Sequence, residues 1–132
     1  MALLAEFLHD ETGLAVVVDD DGRVAWAYLR TMDGEVIGDV WLYNHGPAPE
    51  AVDWTDPAQV PFRNPAPLAN DLGQAPARTR DDVTVEWTLD GELLLADVFL
   101  RGEWLARLSP GSQPGWSTLA KDDGPCARVL PS

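Results

Sequence analysis

The stretch from Val83 to Leu108, VTVEWTLDGELLLADVFLRGEWLARL, constrains the fold more than any other part of the chain. Val83, Val85, Trp87 and Leu89 alternate with Thr84, Glu86 and Thr88, the period-two pattern of a strand with one face buried. Asp90-Gly91 follows, and that dipeptide takes the positive φ angles of a type I′ hairpin turn. A two-residue turn there sets Trp87 opposite Leu94, Val85 opposite Ala96 and Val83 opposite Val98. Every apolar residue of that face then meets an apolar partner, so pattern and turn agree on one register. With a second tight turn, the stretch reads as three antiparallel strands.

The first third of the chain repeats this logic. The opening segment to His9 is read as a strand, closed by an Asp10–Gly13 hairpin loop in which Asp starts the turn and Gly takes the left-handed position. Leu14–Val18, Arg23–Arg30 and Glu35–Tyr43 are the next strands, with turns at Asp21-Gly22 and Asp33-Gly34. Those turns place Val17 beside Trp26 and Trp26 beside Trp41, while Val16, Val18, Ala25, Ala27, Val40 and Leu42 occupy the other face. Both faces are largely apolar, so both need at least partial cover.

Residues 44–82 are different material, carrying Pro47, Pro49, Pro57, Pro61, Pro65, Pro67 and Pro76 with no sustained period. So long an irregular stretch reads as a crossover between sheets, pinned by Trp54, Val60, Phe62 and Leu68, with room for function upon it. Trp116–Ala120 and Ala127–Leu130 are short closing strands. The expected architecture is all-β: one domain over 1–132, with meanders at 2–43 and 83–132 joined by the Pro-rich crossover. It is an antiparallel β-sandwich or a partly open barrel. Asp33-Gly34-Glu35 with Asp39-Val40-Trp41-Leu42 also resembles Asp90-Gly91-Glu92 with Asp97-Val98-Phe99-Leu100, a pattern that duplication or simple convergence on turn-then-strand would produce.

Charge bounds the function. Twenty-two acidic against nine basic residues give a net charge of −13, which disfavours direct contact with nucleic-acid phosphates and favours encounter with a cationic surface. One cysteine, Cys126, excludes an internal disulfide and suits a reducing compartment. The opening segment lacks the basic start of a secretory signal, and no apolar run reaches membrane-spanning length. The expectation is a cytoplasmic protein.

Catalytic signals are weak. Asp19-Asp20-Asp21-Gly22 opens like a calcium loop but lacks the alternating ligands and closing Glu, so a hairpin turn accounts for it. His9 and His45 have no Cys neighbour or helical partner for a metal. Gly111-Ser112-Gln113-Pro114-Gly115 lacks the strand–nucleophile–helix setting of a reactive serine. Asp39 and Asp97 lie mid-strand among apolar neighbours, where a carboxylate needs a partner or a role.

The expected function is therefore a non-catalytic, cofactor-free, metal-free module whose acidic face covers a basic protein, in the manner of an inhibitor or immunity-type protein. Its contact residues are Asp19, Asp20, Asp21, Asp53, Asp56 and the aromatic anchors Trp54, Phe62 and Trp116. Two alternatives come from other classes: a small-ligand binder with Trp54 and Trp116 lining a pocket between sheets, and a small hydrolase or isomerase using Asp39, Asp97 and His45.

Overall fold

Alternation and Asp-Gly turns yield two sheets. The computed structural model describes residues 2–131; Met1, at the head of the first expected strand, and Ser132 lie outside them. The first sheet is an antiparallel meander of β1 (Leu3–Leu8), β2 (Ala15–Asp20), β3 (Val24–Arg30) and β4 (Val36–Asn44). The second contains β5 (Val83–Asp90), β6 (Leu93–Leu100), β7 (Glu103–Leu108), β8 (Trp116–Ser117) and β9 (Arg128–Val129). The sheets do not close into a barrel. The closing pair departs from the all-antiparallel expectation, because β8 and β9 run parallel after the intervening segment carries the chain back to the same end.

One core holds the two sheets together. Val16, Val18, Ala27, Leu29 and Val40 from the first sheet meet Val98, Leu100, Leu105 and Leu108 from the second, all almost wholly buried. Each of these valine and leucine side chains contributes about 1.5–3 kcal/mol relative to exposure. The sheets are also joined through backbone along β4. Gly111 N donates to Ile37 O at 2.7 Å, Asp39 N to Ser112 O at 3.0 Å, Gly115 N to Asp39 O at 2.6 Å and Trp41 N to Cys126 O at 3.0 Å. On the opposite side, the 3-10 turn Arg80–Asp82 sits between β1 and β5. There the Arg80 guanidinium lies over the Phe7 ring and donates to Glu6 O.

The turns correct the expected registers. Asp90 pairs with Leu93, leaving Gly91-Glu92 as the loop, so Trp87 opposes Ala96, Val85 opposes Val98 and Val83 opposes Leu100. Gly91 has φ +63° and Glu92 has no positive φ, the type II′ arrangement with glycine first. The β2–β3 turn makes the same shift: Asp21 N donates to Val24 O, and Val17 opposes Tyr28, not Trp26. Both slips are of two residues, which keeps every side chain on its expected face. Asp33-Gly34 belongs to a three-residue loop in which Gly34 N donates to Thr31 O and Thr31 N to Glu35 O. Its extra residue is absorbed by register irregularities, and Trp26 opposes Trp41 as expected. The two Asp-Gly-Glu segments therefore fold into different turns.

The crossover is pinned by polar groups as well as by apolar ones, Phe62 among the expected residues packing against the core. Trp54 and Val60 are exposed, while Phe62 and Leu68 are half-buried. The anchors are buried Asn64, Ala69 and Ala77. Asn44 Nδ2 donates to Asn64 O at 2.8 Å, Asn64 N donates back to Asn44 Oδ1 at 3.0 Å, and Ala77 N donates to Tyr43 OH at 3.1 Å. Its far end grips the β6–β7 turn. Arg101 holds φ +47°, a conformation costing a side chain about 1–2 kcal/mol. Its guanidinium donates to Gln74, to the carbonyls of Ala75 and Pro76, and to Asp82.

Candidate functional site

Strand parity assigns each acidic residue of β2 to a side. Asp20 shares the inward face with Val16 and Val18, and is 1% exposed. Its carboxylate accepts from Tyr43 OH at 2.7 Å, His45 Nε2 at 2.7 Å and Gly22 N at 2.9 Å. Burial and the Asp20 bond push the Tyr43 phenol far above its ordinary pKa. This network fastens β2, β4 and, through Ala77, the crossover. Asp20 is thus a structural carboxylate and not the outward contact that its turn position suggested.

Asp19 faces the other way, opposite Leu4 on one side and Trp26 on the other. The outer face of the first sheet is covered over only part of its area. Trp26 Nε1 donates to Phe62 O at 2.8 Å, and Trp54 stands edge-on to Phe62 with ring centres 5.1 Å apart. The crossover thus roofs the Trp26 end. Trp26 stacks on Tyr28, centroids 6.3 Å apart and planes at 12°, and Tyr28 belongs to the part left open. There Leu4, Val17, Tyr28 and Val36, with the Glu6–Arg30 ion pair, line a shallow depression of about 470 Å³. Leu4 is 74% exposed and Val36 45%.

Three carboxylates bear on Tyr28. Burial, with the charges of Asp19, Asp39 and Asp21 acting in the same direction, pushes its phenol up to about 12. Asp39 is its direct partner on β4. Burial raises the Asp39 carboxyl, and burial together with Asp21 and Asp20 raises Asp19. Among the described residues, neither side chain accepts a hydrogen bond or forms an ion pair. Two partly buried carboxylates without a donor or cation are an arrangement that a positive group would relieve. Asp21 differs, being held low by the backbone N–H groups of Val24 and Arg23 and by the Arg23 guanidinium.

The remaining expected contacts scatter. Asp53 accepts from Thr55 N and Oγ1, and Asp56 caps the 3-10 turn Pro57–Gln59 through Ala58 N. Trp116 lies on the second sheet with the Arg128 guanidinium 4.3 Å from its ring centre. Trp54 packs against Phe62 and Trp116 lies under Arg128, and neither lines any of the five cavities that stand out among the described residues. Asp97, Asp39 and His45 share no partner. Asp97 takes a bidentate pair from Arg107 at 2.8 and 3.0 Å and a bond from Trp104 Nε1, His45 is bound to Asp20, and Asp39 faces Tyr28. No hydrogen bond joins any two of these three side chains among the described residues. Among the described residues no three His, Cys, Asp or Glu side chains converge as metal ligands. Cys126 is buried, and burial with nearby Asp39 pushes its thiol up to about 12.

Sequence reasoning missed Tyr28, although alternation in β3 puts it on the Trp26 face. It named Asp39, but for acid–base chemistry. No helix is long and apolar enough to cross a membrane. No family model, curated protein or solved structure matches the chain.

Proposed function

We propose that this protein is an acidic binding module that covers a basic protein partner, in the manner of an inhibitor or immunity-type protein, through the outer face of its first sheet. The observation carrying this reading is the open half of that face: Tyr28 beside the uncompensated Asp19 and Asp39, flanked by exposed Leu4 and Val36. A lysine or arginine of the partner set over Tyr28 is held by the ring face and supplies both carboxylates with the donor they lack. Leu4 and Val36 give the contact its apolar part, and Trp54 at the rim of the roofed half extends the aromatic row. The net charge of −13 accelerates encounter, and the buried contacts set the rate of departure. Such covering needs no cofactor. A reducing compartment such as the cytoplasm suits the single buried thiol.

The test uses immobilised wild-type protein and an Asp19→Lys/Asp39→Lys variant to capture partners from host extract at low salt. The captured protein is then purified for kinetics. A basic partner is expected to bind wild type with an association rate falling about tenfold or more as salt screens the charges. Charge reversal is expected to abolish its capture, and Tyr28→Ala to speed dissociation. A partner indifferent to salt and to the reversal, or no partner at all, refutes the reading.

A further inference from the structure

In a chain with 22 acidic and nine basic residues, a cation facing no carboxylate is an unusual placement. Arg63, which pairs with no carboxylate among the described residues, lines one cavity together with Arg23, whose carboxylate contact is Asp21. The cavity has a volume of about 290 Å³ and is walled by Pro49, Ala51, Val52, Ala58 and Gln59 of the crossover, with Arg23 and Arg63 as its charged groups. No carboxylate lines it. The Arg23 guanidinium is aimed by the crossover: its Nη2 donates to Pro61 O at 2.6 Å and Gln59 O at 3.3 Å, with Asp21 Oδ2 at 3.4 Å. Its Nε and Nη1 donate to no protein atom among the described residues. Arg63 is barer still. Its Nε is buried and meets no protein acceptor, and burying a charged donor without one is costly.

We propose that this cavity binds a small organic oxyanion, a carboxylate or phosphate monoester on a compact apolar body. Guanidinium groups present paired N–H donors in a fixed fork that matches the oxygens of both anions. The proline, alanine and valine walls of this half-open cavity accommodate a few carbons. The volume sits at the small end of ligand cavities, which start at about 300 Å³, so the ligand is no larger than a short-chain acid or a small phosphate ester. The protein's overall field repels anions, so selection must come from short-range bidentate bonds. The inference is independent of the acidic-face reading, which uses different residues.

The experiment is a titration of labelled protein followed by ¹H–¹⁵N spectra that include the arginine Nε–Hε signals. Acetate and methyl phosphate are the probes, each at constant ionic strength. Saturable shifts are expected at Arg63 Nε–Hε and at the Ala58 and Gln59 amides. Saturation by methyl phosphate alone assigns the phosphate source, and by acetate alone the carboxylate source; either supports the site. Arg63→Gln is expected to weaken binding about tenfold or more by removing the fork, and Arg63→Lys to restore only part of it. Ala58→Phe fills the cavity without removing charge and must also abolish binding, which guards against a folding defect in the arginine variants. Shifts that stay linear with both probes to about 50 mM, weaker than any specific site, overturn the proposal. So does an affinity unchanged in both Arg63→Gln and Ala58→Phe.

Discussion

Replacing Gly115 by alanine tests the junction between the sheets. A Cβ there would stand 2.6 Å from Arg107 O, 3.1 Å from Leu108 Cδ2 and 3.3 Å from Val40 Cβ. The nearest atom is backbone of β7, so it has no side-chain rotation by which to withdraw. Relief requires β4 and β7 to separate where Gly115 N donates to Asp39 O and Gly115 O accepts from Arg128 N. Overpacking of this kind costs about 1–3 kcal/mol, and weakening one or two backbone hydrogen bonds adds about 1 kcal/mol. The expected loss is about 2–4 kcal/mol, or about 8–16 °C in melting temperature for a chain of this size. Urea unfolding followed by tryptophan fluorescence measures it. Two controls bracket the result. At Gly124 the added Cβ meets only the Leu68 side chain, whose tip is 2.7 Å away, and at Gly73 it meets nothing within 4 Å. Leu68 can swing aside, so Gly124→Ala should lose less than Gly115→Ala, and Gly73→Ala should stay within about 0.5 kcal/mol of wild type. If Gly115→Ala unfolds at the same urea concentration as Gly73→Ala, the junction does not carry the load assigned to it.

Asp20→Ala leaves the buried Tyr43 hydroxyl without its acceptor and frees His45, so a loss of about 3–5 kcal/mol is expected. Tyr43→Phe, which removes a donor, should cost less, and equal midpoints for the two variants would contradict the network. Asp39 gives a pH prediction with the opposite sign from most carboxylates. Its folded pKa is raised above the ordinary 3.8, so its contribution to stability is fully present below that value and is lost as pH rises through the folded pKa. Asp39→Asn is therefore expected to stabilise the protein at pH 7, by under about 1 kcal/mol for a partly solvated charge, with no advantage at pH 3. A gain that persists at pH 3 would mean that the effect is packing rather than charge.

Much of the fold was legible because parity survives small errors. The alternation of β5 and β6 excludes slips of one residue but is blind to slips of two, so the partners of Trp87 and Val17 moved while their faces did not. The same parity, pursued through β2, separates Asp19 from Asp20: Val16 and Val18 point inward, and Asp20 must follow them. The run of three aspartates before glycine resembles an exposed turn strongly enough to hide that consequence. The crossover was legible as a crossover but not in its anchoring. Asn44, Asn64, Tyr43 and Ala77 act through one or two bonds to backbone separated by 20 or more residues, and no local period records them. The open half of the outer face depends on where the crossover stops, which is equally invisible in one dimension.

The two sides of the sandwich are fastened by different means. Along β4, four backbone bonds distributed from Ile37 to Trp41 act as a spine. Between β1 and β5, the fastening is one 3-10 turn, with the Arg80 guanidinium bonded to Glu6 O as the clasp. A structure bound along one spine opens from the clasp, since releasing a single exposed guanidinium disturbs far less than unzipping a ladder. Slow amide exchange then belongs to the spine, and transient wetting of the core to the β1 margin, where Phe7 lies beneath the clasp. The proposed binding face shares its sheet with both. A partner gripping Leu4 on β1 and Asp39 on β4 would span from the loosest margin to the firmest, and so hold shut the book whose cover it touches.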